Sequence, residues 1–422
     1  EHEIVAKTVQ KYYRVGTDVF MRQREQLIAH WMETRSFFSE DAFEACYSLS
    51  RIKSAATCRS PNLLMAGYGF CSGGGETFPV ELANLMKAAG YNVTYFDCAQ
   101  EPRNQGVRGK LRRDIPIVSD IPHLEKIVSD FGIDLIHSHH AWVDSTILDI
   151  LPEEGDFKTI VTLHGMYETI NSIELKFILP RLVKRSSRLI YVADKNVSAL
   201  TAYKGNDEKK LVLIENALSV SEFDPVSRSD LGISEGAFVL VLISRAMEEK
   251  GWQEAVEIVS AAREKSEKDI QLVLVGDGPE YDRLGALQLP AFIHLEGFQD
   301  NVRGYFSCSD MGFLPSRFRG ESFPMVIIEC LQAGRPILAS SLGDIPYMLS
   351  GTDGPAGVLV ELDGFEINVS LWAEKIAHLA SDKIACESLQ SRVFSAAQKF
   401  DSGVMTRKYD EVYRSVLDES VL

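Results

Sequence analysis

The chain has 422 residues, 45% of them hydrophobic and 25% charged, the proportions of a globular protein long enough for two α/β domains. A formal net charge of -16 argues against a nucleic-acid partner, whose phosphates need a basic face, and no apolar run approaches the roughly 20 residues that span a bilayer. The seven cysteines, Cys46, Cys58, Cys71, Cys98, Cys308, Cys330 and Cys386, form no C-x-x-C pair, so a reducing, cytoplasmic setting is expected.

In chain order, residues 1–58 carry apolar side chains at helical spacing (Val5, Val9, Tyr12, Phe20, Leu27, Trp31) and no β-branched run. They read as a helical extension packed on the body, or joining it to an upstream domain or partner. The chain opens on Glu1 without a signal-peptide pattern.

From Asn62 the pattern becomes strand, turn, helix, repeated. Strands are expected at 62–66, 91–96, 134–137, 159–163, 189–192 and 211–214, with Gly90 closing the first helix. Residues 59–216 thus form one Rossmann-like domain. The polar stretch 217–236, with Asp224-Pro225, reads as a linker. A second doubly wound domain, 237–403, has strands expected at 238–243, 271–275, 292–295, 311–314 and 336–339. Residues 404–422 read as an amphipathic helix with Met405, Tyr409, Val412, Tyr413 and Val416 on one face, expected to pack back on the first domain. Two such domains predict a cleft between them, with ligands at the carboxyl ends of strands.

Those strand ends carry the chemistry. After the strand at 311–314, a loop holds Arg317, Arg319 and Glu321, and a helix is expected from Pro324 to Ala333, stopped by Gly334. Its first-turn amides, Met325 and Val326, suit a pyrophosphate. Glu321 can accept hydrogen bonds from sugar hydroxyls, and Glu329, about 7 Å along the axis from Pro324, can bind a ribose diol; a structural ion pair is the alternative for Glu329. After the strand at 238–243, Arg245 and Lys250 place two cations where a departing diphosphate gains charge, although Glu248 and Glu249 offset them and a solvated loop is the plainer alternative. Gly276 lies in the turn Val275-Gly276-Asp277-Gly278-Pro279-Glu280, and Phe298 follows the next strand.

In the first domain, Gly73-Gly74-Gly75-Glu76 sits between the first strand and its helix, removing bulk where a phosphate or acceptor approaches. The string Gly67-Tyr68-Gly69-Phe70-Cys71-Ser72-Gly73 is one residue too long for a dinucleotide fingerprint, which weakens an oxidoreductase reading. His137, His139 and His140 cluster at one strand end; no further ligand is spaced to complete a zinc site, and no metal is expected. His164 closes the next strand, where it either bonds a sugar hydroxyl or serves the core.

Glu321 and Glu329, with the neighbouring LPS, ESFPMVIIE, AGRPI and S-x-GDIP stretches, resemble the E-x7-E signature of retaining glycosyltransferases of family 4 (group 1). The Arg245-x4-Lys250 and VGDGPE strings are similar to that family's in the same order. The resemblance covers roughly residues 62–420. It implies an α/β fold of the GT-B type, with two Rossmann-like domains facing a cleft, and a metal-independent hexosyltransferase that retains anomeric configuration.

The donor, a nucleotide sugar with UDP favoured over GDP, would be held by Gly74, Gly75, Arg245, Lys250, Gly276, Phe298, Glu321, Phe323, Pro324, Met325, Val326 and Glu329. Arg245, Lys250, Glu321 and His164 would act in catalysis, and His137, His139 and Glu76 would lie on the acceptor side. No cofactor is implied. The acceptor would be a glycan, a lipid-linked glycan or a small molecule. Basic stretches at Arg108–Arg113 and Lys184–Arg188 allow peripheral contact with the inner face of a membrane. A catalytically silent nucleotide-sugar-binding scaffold of the same fold is the second reading. In one respect the chain departs from the family: Gly343-Asp344-Ile345-Pro346-Tyr347 stands where two glycines before I-P-E are common, which bears on the identity of the sugar.

Overall fold

A computed structural model describes residues 60–418, apart from 72, 100–105, 154, 156, 202, 204–206 and 221; the expected extension at 1–58 lies outside the described residues. The chain divides into two compact units. One takes the chain up to Ile214 and again from Gly403, and the other runs from Glu215 to Ser402.

Unit 1 is built on seven parallel strands: β1 (Asn62–Gly67), β2 (Asn92–Asp97), β3 (Ile117–Val118), β4 (Leu135–Ser138), β5 (Lys158–Leu163), β6 (Arg188–Tyr191) and β7 (Leu211–Leu213), in the order β3-β2-β1-β4-β5-β6-β7. Every residue of β1 is buried, as expected of a central strand covered by helices on both faces. One core layer joins Leu64, Phe96 and Val118 to the helices Leu124–Asp130 and Ala141–Ile150. A second joins Val161, Leu163 and Leu189 to Leu179 and Leu182 of the helix Ser172–Arg185.

Gly90 behaves as expected. At φ 100° it lets its own amide reach the carbonyl of Lys87 and the next amide, Tyr91, reach Met86, a Schellman stop. The helix before it begins at Gly74 and ends at Ala88. Gly74, Gly75 and Glu76 are therefore its first turn, rather than a loop ahead of it.

The helix Ser402–Asp418 completes unit 1. It buries Met405, Tyr409, Tyr413 and Val416, Tyr413 stands edge-on to Tyr91, and the Tyr91 hydroxyl donates to Asp410 at 2.7 Å.

Unit 2 has six parallel strands: β8 (Phe238–Ile243), β9 (Ile270–Val275), β10 (Ile293–Gly297), β11 (Met311–Leu314), β12 (Ile337–Ser340) and β13 (Gly357–Val360), in the order β10-β9-β8-β11-β12-β13. Renumbered within the unit this is 3-2-1-4-5-6, the dinucleotide-fold order, and it reverses between β8 and β11. Trp252 and Trp372 are its largest fully buried side chains, and Phe313 of β11 meets the Trp372 ring edge-on at 5.6 Å.

The stretch 217–236 is not a free linker. Ile233 and Leu218 are buried. The Arg228 guanidinium donates to the carbonyls of Cys308, Glu235 and Ala237 and pairs with Asp310 at 2.9 Å, so the segment is packed into unit 2. Among the described residues no helix is long and apolar enough to cross a membrane.

Candidate functional site

In unit 2 the loops that follow β8 and β11 flank the point where the strand order reverses, the place where such sheets take ligands. Backbone geometry brings those loops close. At Gly251, with φ 75°, a Cβ would stand 2.1 Å from the carbonyl oxygen of Pro315; at Gly276, with φ 143°, one would stand 1.9 Å from that of Ser244. Only glycine permits both the left-handed backbone and the approach. The Trp252 indole N–H donates to Ser244 Oγ at 2.9 Å, anchoring the end of β8 to the core.

Across this junction Lys250 Nζ donates to Glu321 Oε2 at 2.7 Å, with the two side chains only 14% and 7% exposed. Ser316 Oγ donates to the same oxygen at 2.7 Å, and the ammonium lies 4.9 Å from the centre of the Phe318 ring. A charge pair this sheltered is strongly coupled: removing one partner leaves the other desolvated and uncompensated.

Arg317 sets the loop that carries Lys250. Its backbone N–H donates to the Glu249 carbonyl at 2.8 Å, and its guanidinium reaches Glu248 at 3.0 Å and Glu254 at 3.2 Å. At least one of the two acidic neighbours that appear in the sequence to cancel the local positive charge, Glu248, is thus engaged with Arg317. Arg245, on the same loop, is exposed.

The backbone of Glu321 and Ser322 lies against Gly343, whose Cβ would come within 2.6 Å of both carbonyl oxygens, and the Asp344 amide donates to Ser322 O at 2.9 Å. The helix that follows is Met325–Gln332, with Pro324 as its N-cap at ψ 119°, so it starts one residue later than expected. Met325 and Val326 remain first-turn amides without an intrahelical acceptor. Gly334 at φ 75° ends the helix, its amide bonding Leu331 O and that of Arg335 bonding Cys330 O. Glu329 is half-buried on this helix, and Phe298, just past β10, is 39% exposed. The Phe323 side chain is buried, edge-on to Phe400 at 5.8 Å, and it anchors the loop from within the core.

Unit 1 corrects two of the expected acceptor-side residues. His137 is fully buried. Its Nδ1 lies 2.6 Å from the Tyr413 hydroxyl and its Nε2 lies 2.7 Å from Thr162 Oγ1, so both nitrogens are occupied inside the unit. His139 is buried too, with Nε2 2.9 Å from Met65 Sδ and Nδ1 3.2 Å from His164 Nε2. A thioether only accepts. His139 therefore donates through Nε2 and accepts through Nδ1, which makes His164 the donor between them and leaves its Nδ1 as an acceptor. Of the three residues, only His164 is partly exposed. At the start of the helix Gly74–Ala88, Gly74 and Gly75 are exposed and Glu76 is half-buried. The basic stretch at 184–188 is largely engaged locally: Arg185 caps the carbonyls of Leu148, Leu151 and Pro152, and Lys184 pairs with Glu153.

Burial holds His137 and His139 well below the ordinary histidine range and pushes His164 down to about 3. Nearby, burial pushes Asp144 up to about 7, against the pull of hydrogen bonds from Ser138 at 2.5 Å and Tyr167 at 2.7 Å. The signs differ. A histidine that folds neutral contributes stability in full above its unfolded value of 6.5, and that contribution is lost as pH falls toward the folded value. Asp144 contributes in full below its unfolded value of 3.8 and loses that contribution as pH rises through about 7. Three histidines outweigh one carboxyl, so the melting temperature of unit 1 is expected to rise between about pH 4 and 6.5, and His164→Gln to shrink that rise. Calorimetry across this range checks it; an identical pH dependence in the variant would show that His164 does not fold in its neutral form.

The sequence profile described as Glycosyl transferases group 1 matches residues 237–382, and that described as Glycosyltransferase Family 4 matches residues 72–222. The N-acetyl-alpha-D-glucosaminyl L-malate synthase of Bacillus anthracis is 27% identical over 301 residues, covering 68% of this chain and 76% of that protein. An uncharacterized glycosyltransferase of Methanocaldococcus jannaschii is 24% identical over 369 residues, 82% of this chain and 95% of its own. Among solved structures, Anabaena Alr3699/HepE in complex with UDP-glucose superposes with a TM-score of 0.68 at 18% identity, covering 84% of this chain and 99% of that one. Matches fall on both units, and in each they span the strand-end loops described above. The chain belongs to the group 1, family 4 glycosyltransferases and has their GT-B fold.

Proposed function

We propose that this glycosyltransferase moves a hexose from a UDP-sugar to an acceptor hydroxyl with retained anomeric configuration and without a metal. The observation that carries this reading is the sheltered Lys250–Glu321 pair beside the open first turn of Met325–Gln332. As the bond between C1 of the sugar and the phosphate oxygen breaks, charge develops on the diphosphate. Lys250, Arg245 and the amides of Met325 and Val326 are the groups that meet it. They supply positive charge in place of a metal ion.

In this reading Lys250 exchanges part of its contact with Glu321 for a phosphate oxygen, and Ser316 keeps the carboxylate oriented toward the sugar hydroxyls. Glu329 takes the ribose diol and Phe298 the base. The acceptor oxygen bonds to C1 on the face the diphosphate leaves, and its proton passes to the departing phosphate oxygen, so atoms and charge balance. Half-buried His164, with Nδ1 as an acceptor, orients a hydroxyl. UDP is favoured over GDP because Alr3699/HepE was solved with UDP-glucose.

Titration of the full chain with UDP in a metal-free, chelator-containing buffer is expected to give one binding site per chain. Proton NMR of the product made from a UDP-α-hexose is expected to show an α-anomeric signal. Absence of UDP binding would remove the donor assignment, and a β-anomeric product would remove retention.

A further inference from the structure

Resting on that reading, we infer that unit 1 holds its acceptor by a flat sugar ring, on an aromatic platform made of Tyr68, His140 and Trp142. Tyr68 is the first residue past β1, and His140 and Trp142 follow β4 and open the helix Ala141–Ile150. β1 and β4 are hydrogen-bonded neighbours, and the strand order β3-β2-β1-β4 reverses between them. The three rings therefore occupy the ligand position of this sheet.

They also pack on one another. Tyr68 lies 4.9 Å from the His140 ring at 34° and meets Trp142 edge-on at 5.8 Å and 78°. Despite this, Trp142 is 46% exposed and Tyr68 38%, whereas Trp252 and Trp372 are fully buried. A large aromatic surface left to water at a ligand position, and held there by its neighbours, is a surface prepared for a ligand.

The backbone beneath the platform is tied down. The Trp142 amide donates to His140 Nδ1 at 3.2 Å, so that His140 caps the helix. Thr146 Oγ1 donates to Trp142 O at 2.8 Å. One residue pair further in, Asp144 is locked by Ser138 and Tyr167.

The chemistry of the triad selects its ligand. It contains no lysine or arginine, so it has no strong anchor for a carboxylate or phosphate. It offers flat ring faces with polar edges. A pyranose matches this, with a patch of C–H bonds on one face and hydroxyls around the rim. The acceptor class inferred is thus a glycoside or glycan whose terminal ring stacks here, rather than a small anionic acceptor.

The test uses the fluorescence of Trp142 in the full chain, with methyl pyranosides of glucose, galactose, mannose and N-acetylglucosamine as probes. L-malate and vesicles of phosphatidylcholine and phosphatidylglycerol in equal parts are the controls. At least one pyranoside is expected to quench the emission saturably. Trp142→Phe should abolish that signal, and Tyr68→Ala should weaken binding roughly 2- to 10-fold. No response across the pyranosides overturns the inference, as does a response that L-malate or vesicles reproduce without them. UDP titration, read separately, decides the donor assignment. Saturable pyranoside quenching without UDP binding would leave the platform standing and remove the transferase chemistry.

Discussion

Lys250→Ala is expected to lower kcat/KM for the sugar donor by about 10²- to 10³-fold, the scale found when one preorganised donor to a developing charge is removed. The size follows from burial. Lys250 and Glu321 share a site that is almost closed to water, where a charge interaction is worth far more than at the surface. Truncating the lysine removes the cation that meets the diphosphate and leaves Glu321, already bonded by Ser316, as a buried carboxylate facing an anionic ligand.

Three further variants locate the effect. Glu321→Gln keeps shape and hydrogen bonding but removes the charge, so it should lower kcat more than it weakens UDP binding. Arg317→Ala touches the site only through Glu248, Glu254 and the loop between them, so it should raise the donor KM several-fold with a smaller change in kcat, and Arg317→Lys should recover only part because one ammonium cannot bridge both glutamates. Calorimetric titration with UDP and steady-state kinetics check the series. Unchanged UDP affinity in Lys250→Ala would end the assignment of this notch to the diphosphate.

Gly276→Ala should be the most damaging single-atom change near the site. Its φ of 143° is strained for any L side chain, and the new Cβ would sit 1.9 Å from the Ser244 carbonyl, with Trp252 3.2 Å away on another side. Neither neighbour can yield cheaply, one being backbone and the other a buried indole. Strain of about 1–3 kcal/mol adds to the cost of displacing the end of β8, for a total of roughly 3–4 kcal/mol. For a unit of this size that is a fall in melting temperature on the order of 6–16 °C.

Gly90→Ala supplies the contrast. Its φ is also positive, at 100°, but a Cβ there meets nothing within 4 Å, so only the conformational cost of about 1 kcal/mol applies. Scanning calorimetry of the two variants separates strain from collision, and Gly276→Ala melting beside Gly90→Ala would contradict the collision. Because Ser244 leads into Arg245, Gly276→Ala should also weaken UDP binding.

The strands beneath the site were legible because their residues are buried on both faces and so form unbroken apolar runs; β8 and β11 fall at the expected limits. Two strands were not legible, and each for a local reason. Ile117–Val118 is too short to carry a pattern and follows Pro116. Gly357–Val360 begins with a glycine that reads as a turn, but the glycine is there because a Cβ would stand 2.2 Å from the Ile337 carbonyl oxygen.

The burial of His137 and His139 was hidden for a different reason. The sequence places His137 at a strand end, but only the fold reveals that its ring meets the hydroxyl of Tyr413, 276 positions further on. Arg317 was visible as a charge; its partners Glu248 and Glu254 lie 69 and 63 positions back, and no spacing rule joins them.

The tyrosine that covers His137 has a consequence for biosynthesis. Its helix, Ser402–Asp418, belongs to the sheet whose strands are translated first. As the nascent chain leaves the ribosome, the second sheet has all its own residues once Ser402 has emerged. The first must wait, with the His137 side of β4 open to water, until Tyr409 and Tyr413 arrive. The half that is translated first becomes whole only after the other, and a message cut short before that helix yields an unfinished N-terminal half rather than a shortened enzyme.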